Sequence, residues 1–208
     1  MAFELTERQQ QNRHAMRSNI RKARMALSER TQHEAALAVS TQLFQLPEFA
    51  QAQSVGAYLA TSGELSLTPL IEHCWLTQKS VAVPVIDAHE AGKMLFFTYT
   101  PSTRMQLNQF AMQEPIPAQA NAIALESVHL LCVPLVAFDA QGQRLGMGGG
   151  YYDRLLEKWQ RGQLPRLFPV GVAHDCQQVE QIPTAPWDIP LPMIITPSKQ
   201  WRFSLPSV

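Results

Sequence analysis

The sequence is short of charge: 16% of its 208 residues are Asp, Glu, Lys or Arg, against 46% hydrophobic. The signs balance at 17 each, so no strongly basic surface argues for general nucleic-acid binding. No apolar run reaches the 18 or so residues of a membrane span, and the opening MAFELTERQQQNRH lacks the hydrophobic centre of a secretory signal. Cysteine is scarce. Cys74, Cys132 and Cys176 stand far apart, with no CxxC and an odd count, which excludes a disulfide framework and fits a reducing cytoplasm. The six histidines include no HxxxH or HExxH pair, so a zinc site is not indicated. No GxSxG elbow is present. A chain of this length favours one domain and buries roughly 70% of its unfolded surface without staples.

Proline and glycine are missing between about 5 and 46, which predicts two helices, with Ser28 as the cap between them. Met16, Ile20, Ala23 and Leu27 form an apolar stripe, and Arg13, Arg17, Arg21 and Arg24 a basic stripe about 60° away. Residues 1–30 carry seven basic and three acidic side chains, so the remainder of the chain is net acidic. Beyond Pro47 the pattern alternates. SVGAYLA (54–60) reads as a strand, PLIEHCWLTQ as a helix and SVAVPVI (80–86) as a strand, a βαβ unit that predicts a parallel sheet. MLFFTY (94–99), LLCVPLVAF (130–138) and LFPVGVA (167–173) add strands, and YYDRLLEKW (151–159) a helix. Residues 101–128 read as irregular, and the proline-rich tail as loop with one short strand, PMIIT. Phe96, Phe97, Tyr99 and Cys132 read as strand core.

Five of the ten glycines crowd into FDAQGQRLGMGGGYYDR, between a buried strand and a helix. Glycines let backbone approach a ligand closely, and successive N–H groups at a helix start suit phosphate. The loop lacks the GK[ST] of a Walker motif and the third glycine of GxGxxG. A tight structural turn is the alternative. Arg144 and Asp153, a cation and a carboxylate beside the loop, favour a magnesium nucleotide.

The stretch RLGMGGGYYDR preceded by PLVAFD is similar to the signature of the 5-formyltetrahydrofolate cyclo-ligase family. RHAMRSNIRKARMALS (13–28), YLATSGELSLTPLI (58–71), VAVPVI (81–86), QEPIP (113–117) and PWDIPLPMIIT (186–196) resemble further family segments in the family's order. The resemblance implies a single α/β domain over 1–208: a mainly parallel, Rossmann-like sheet between helices, related to sugar-phosphate isomerase and CoA-transferase architectures. The helical segment of about 5–46 would fold back towards the glycine loop. It implies an ATP- and Mg-dependent conversion of 5-formyltetrahydrofolate to 5,10-methenyltetrahydrofolate in a cytoplasmic monomer, with or without a polyglutamate tail on the substrate. By motif position, Arg13, Arg17 and Arg144, Leu145, Gly146, Met147, Gly148, Gly149, Gly150, Tyr151 and Tyr152 would bind ATP. Arg144 and Tyr151 would be catalytic. Leu59, Glu64 and the loop from Met147 to Tyr151 would border the folate, and Asp153 and Asp188 would hold Mg2+. Two departures stand out: Arg13 occupies a position often held by Lys, and Pro192 one often held by Asp. A non-catalytic reduced-folate binder and an isomerase or transferase relative are the competing readings. His174 is unassigned.

Overall fold

A computed structural model describes residues 5–87, 90, 92–108, 111–116 and 122–204. Pro117 of the QEPIP segment lies outside them. Two helices open the chain, α1 (Glu7–Met25) and α2 (Glu29–Phe44). Thr6 caps α1 in a reciprocal box with Gln9, and Ser28 caps α2 by accepting the Thr31 N–H at 3.1 Å. The short α3 (Pro47–Gln51) leads into β1 (Ser54–Gly56), α4 (Thr68–Leu76) and β2 (Ser80–Ile86), the expected βαβ unit with parallel pairing.

The main sheet continues through β3 (Met94–Thr98), β6 (Ala122–Ile123), β7 (Leu130–Pro134), β10 (Phe168–Val172), β11 (Met193–Ile195) and β12 (Gln200–Arg202). Its spatial order is β12-β11-β10-β7-β1-β2-β3-β6. The five central strands are parallel; β3 and β12 run antiparallel to them, and β6 pairs antiparallel with β3. Side chains alternate between faces as strand geometry requires. Leu130 and Cys132 of β7 join a core with α2, α3 and α4, whereas Leu131 and Val133 join a second core beneath α5 (Tyr151–Gln160). The sheet is therefore covered on both sides, which explains the near-continuous apolar runs of its central strands.

Four expectations need correction. The run 130–138 is not one strand: β7 stops at Pro134, and Ala137–Phe138 (β8) pairs instead with Arg144–Leu145 (β9) in a separate ribbon. Every residue of the run except Pro134 is buried, so hydropathy gave no sign of the change of partner. The strand expected over 54–60 is regular only to Gly56. The segment 101–128 contains a hairpin, β4 (Met105–Leu107) and β5 (Gln113–Pro115), besides β6. The tail supplies β12 as well as β11.

A fifth difference concerns α1. It lies across β8 and the 3-10 turn Asp175–Gln177, both just beyond the carboxyl ends of central strands. Met16 and Ile20 pack there on Ala137, Leu145 and Ile182, as the apolar stripe predicts. Ala23 is exposed, however, while Arg13 and Arg24 are buried and Arg17 and Arg21 half-buried. The basic stripe is the more deeply covered face.

Candidate active site at the carboxyl edge of the sheet

In a doubly wound sheet, ligands bind where neighbouring strands send their connections to opposite faces. That point lies between β1 and β7: β1 continues through α4 on one face, β7 through α5 on the other. The segment after β1 contains Leu59 and Glu64. The segment after β7 contains Arg144 and the glycine loop. α1 lies across this edge, so topology alone brings three separated motifs together.

Gly150 opens α5 at φ +67°, a conformation that costs a residue with a Cβ about 1–2 kcal/mol. It carries no side-chain oxygen to cap the first-turn N–H groups, which stay available to an anion. Arg17 donates from Nε to the Gly146 carbonyl at 2.8 Å, fastening α1 to the loop. Arg144 is 3% exposed and pairs through Nη2 with Asp153 Oδ1, while its buried Nε has no partner among the described residues. Burial lowers the pKa of Arg144, and the facing carboxylates of Asp153 and Asp188 offset that. Burial also lowers that of Arg17, with Arg13 adding to the effect and Asp188 and Asp153 opposing it. Three guanidinium groups and two carboxylates thus interact at one place.

Arg13 grips Asp188 with both nitrogens, Nη2 to Oδ1 at 3.0 Å and Nη1 to Oδ2, and Nη1 also donates to the Pro183 carbonyl at 2.8 Å. The Ala185 N–H donates to the same Asp188 Oδ2 at 2.7 Å. Both oxygens of Asp188 are therefore engaged by protein donors. Asp153 gives only Oδ1 to Arg144. Among the described residues no three His, Cys, Asp or Glu side chains gather as a metal nest, so a divalent cation would draw most of its oxygens from phosphate and water. Pro192 enters β11, and its carbonyl accepts the Phe203 N–H at 3.0 Å.

Met147 is 55% exposed at the loop tip, and Gly148 and Gly149 are exposed beside it. Leu145 is fully buried against Ala137 and Ile182, which leaves its backbone, not its side chain, for a ligand. The Tyr151 ring lies under the Arg154 guanidinium, 5.6 Å from its centre. Tyr152 packs on the α5-side core with its hydroxyl buried and unpartnered. Burial, then Glu64, pushes that phenol well above its ordinary range. Glu64 accepts the Thr61 N–H on Oε2 at 3.0 Å, and Leu59 packs at the edge of the other core.

Two residues at the site escaped sequence reasoning. Arg154 donates from Nη2 to the Gly149 carbonyl and from Nε to the Gly92 carbonyl, each at 2.8 Å, so it pins the glycine loop to the β2–β3 connection. Arg24 reaches the Glu64 turn. The signal for Arg24 was present: it ends the basic stripe that begins at Arg13.

The chain is similar to known proteins over most of its length. Residues 9–197 match the 5-formyltetrahydrofolate cyclo-ligase family. The chain is 42% identical to the 5-formyltetrahydrofolate cyclo-ligase of Escherichia coli K12 over 184 residues, spanning 88% of this chain and 100% of that one. It is 42% identical to the Haemophilus influenzae cyclo-ligase over 181 residues, 87% and 95% of the two chains. The solved 5,10-methenyltetrahydrofolate synthetase of Aquifex aeolicus superposes with a TM-score of 0.75 at 32% identity, covering 91% of this chain and 92% of that one. The Mycoplasma pneumoniae synthetase shares the fold at a TM-score of 0.69. Signature loop, sheet topology and whole-chain similarity coincide, and the chain belongs to the 5-formyltetrahydrofolate cyclo-ligase family.

Proposed function

We propose that the chain acts as one cyclo-ligase unit that closes 5-formyltetrahydrofolate to 5,10-methenyltetrahydrofolate with MgATP, releasing ADP and phosphate. The observation that carries the reading is the meeting of Arg13, Arg17, Arg144, Asp153 and Asp188 at the glycine loop, with the Glu64 turn on the adjoining strand end. A formamide oxygen is a poor leaving group. Its attack on the γ-phosphorus breaks the bond to ADP and makes an imidate-like phosphate. N10 then bonds to the formyl carbon, its proton leaves, and phosphate departs with the C–O bond. Such chemistry asks for alignment and charge stabilisation.

The loop backbone from Gly146 to Tyr152 would cradle the phosphates, with Arg17 and Arg144 facing their charge. Arg144 spends Nη2 on Asp153, and its Nη1 lies on the loop side, 3.4 Å from where a Cβ on Gly146 would stand, so Nη1 is the donor that would meet a phosphoryl oxygen. Mg2+ would neutralise the nucleotide phosphates, reached from Asp153 through the oxygen that Arg144 leaves free. Asp188, saturated by Arg13 and the Ala185 N–H, would serve the metal at most indirectly, by holding Arg13 in place. Glu64 would accept the paired N–H donors of the pterin edge, Leu59 would border it, and Met147 and Tyr151 would close over the reacting atoms.

Mixing the protein with 5-formyltetrahydrofolate and MgATP and following the near-ultraviolet absorbance of the methenyl product tests the reading. A rise that disappears when ATP or Mg2+ is omitted is expected. Arg144→Ala should lower kcat by about 10²–10³-fold. Asp153→Asn should raise the Mg2+ needed for half-maximal rate by about 10–100-fold. Folate binding without turnover would replace the enzyme with a reduced-folate binder.

A further inference from the structure

We infer that Arg24 is a positioning residue for the substrate turn, holding the Glu64 carboxylate at the angle in which it meets folate; this rests on the reading of Glu64 as the folate contact. Arg24 lies about two turns beyond Arg17, the residue of α1 that holds the glycine loop, and it is 1% exposed. Its Nε donates to the Ser62 carbonyl at 3.0 Å, and Nη2 stands 3.6 Å from Glu64 Oε1. The other carboxylate oxygen takes the Thr61 N–H. Glu64 is therefore tied at both oxygens while it remains partly open. Gly63 (φ +73°) brings the turn against the helix backbone: a Cβ there would sit 3.1 Å from the Arg24 carbonyl oxygen and 3.1 Å from Met25 Cα. Turn and helix are in direct contact.

A purely structural tie would not need a cation here. Burial works against the Arg24 charge, with Glu64 in partial compensation, and its buried Nη1 has no partner among the described residues. Replacing a buried ion pair with apolar groups of similar volume is often neutral or stabilising, so a half-satisfied guanidinium is a poor device for stability alone. It is a good device for fixing the direction of a carboxylate. The flat fork addresses a carbonyl and a carboxylate together, which no single-point donor does.

The test is a double-mutant cycle on Arg24→Met and Glu64→Gln, reading KM for 5-formyltetrahydrofolate, KM for ATP and the thermal midpoint. Arg24→Met is expected to lower the midpoint, because Ser62 and Glu64 lose their donor, and also to raise the folate KM about tenfold while keeping the ATP KM within about twofold. Added to Glu64→Gln, it should raise the folate KM no further. A lowered midpoint with normal folate KM, or additive effects in the double variant, overturns the assignment. If Glu64→Gln alone leaves the folate KM unchanged, the folate reading of the turn fails and Arg24 loses its task. If Glu64→Gln raises it and Arg24→Met does not, only the Arg24 assignment fails. Should Arg24→Met not fold, Arg24→Lys decides. Lysine keeps the charge but places all its donors on one nitrogen and cannot reproduce the fork's fixed spacing, so the folate KM should rise about threefold, and an unchanged KM overturns the proposal.

Discussion

His174 is 2% exposed, its Nε2 lacks a partner, and it faces Arg24 and the backbone of Gly63. Burial first, then the Arg24 charge, pulls its pKa below the ordinary 6.5. The unfolded chain then takes up a proton at higher pH than the folded one. The stability this supplies is complete above 6.5 and is lost as pH falls towards the folded-state pKa. Urea midpoints measured at pH 7.5 and 5.5 should fall further for the wild type than for His174→Phe. Equal slopes would mean that His174 is not buried in its neutral form. At this scale the sequence was a partial guide. The grouping of Arg13, Arg17, Arg144 and the glycines was legible because motif and resemblance mark them. The engagement of Asp188 was not, because its partner Arg13 lies 175 positions away and nothing local announces the pair. Motif position reads Asp188 as a metal ligand and is silent on this pairing.

Elements show where local pattern suffices and where it stops. α2 starts at Ser28 and α5 at the last glycine, as cap chemistry predicts. The break after Pro134 was hidden because the chain stays buried while it leaves one sheet for another. Hydropathy records burial and is silent on partners. The start of α5 supports a paired experiment. Gly150 and Gly162 have similar positive φ, +67° and +72°, but a Cβ at Gly150 would meet Arg154 Nη1 at 2.9 Å, whereas one at Gly162 has open space. Each alanine substitution should cost about 1–2 kcal/mol of stability from backbone strain. Only Gly150→Ala should also raise the ATP KM, several-fold, because it dislodges the arginine that pins the Gly149 carbonyl. Comparable kinetics in the two variants would deny Arg154 that role.

The whole molecule is a parallel five-strand centre with antiparallel margins, and the centre and β3 were legible while the outermost strands were not. Long apolar runs separated by helical segments announce parallel strands. Two- and three-residue margin strands such as β6 and β12 carry too few side chains to show a period. The buried centre also contains a ready-made reporter. Cys74 and Cys132 are fully buried, and burial pushes the Cys74 thiol up to about 11 and that of Cys132 higher still. Cys176 is half-buried near the surface. A disulfide-exchange dye at neutral pH should therefore titrate one sulfur promptly and the other two only when the sheet opens. The slow phase then clocks global opening without any engineered label. Substrates that bind only the closed form should retard it by the factor 1 + [L]/Kd, about a hundredfold at a hundred times Kd. Three unremarkable thiols thus turn a colourless folding equilibrium into a binding assay.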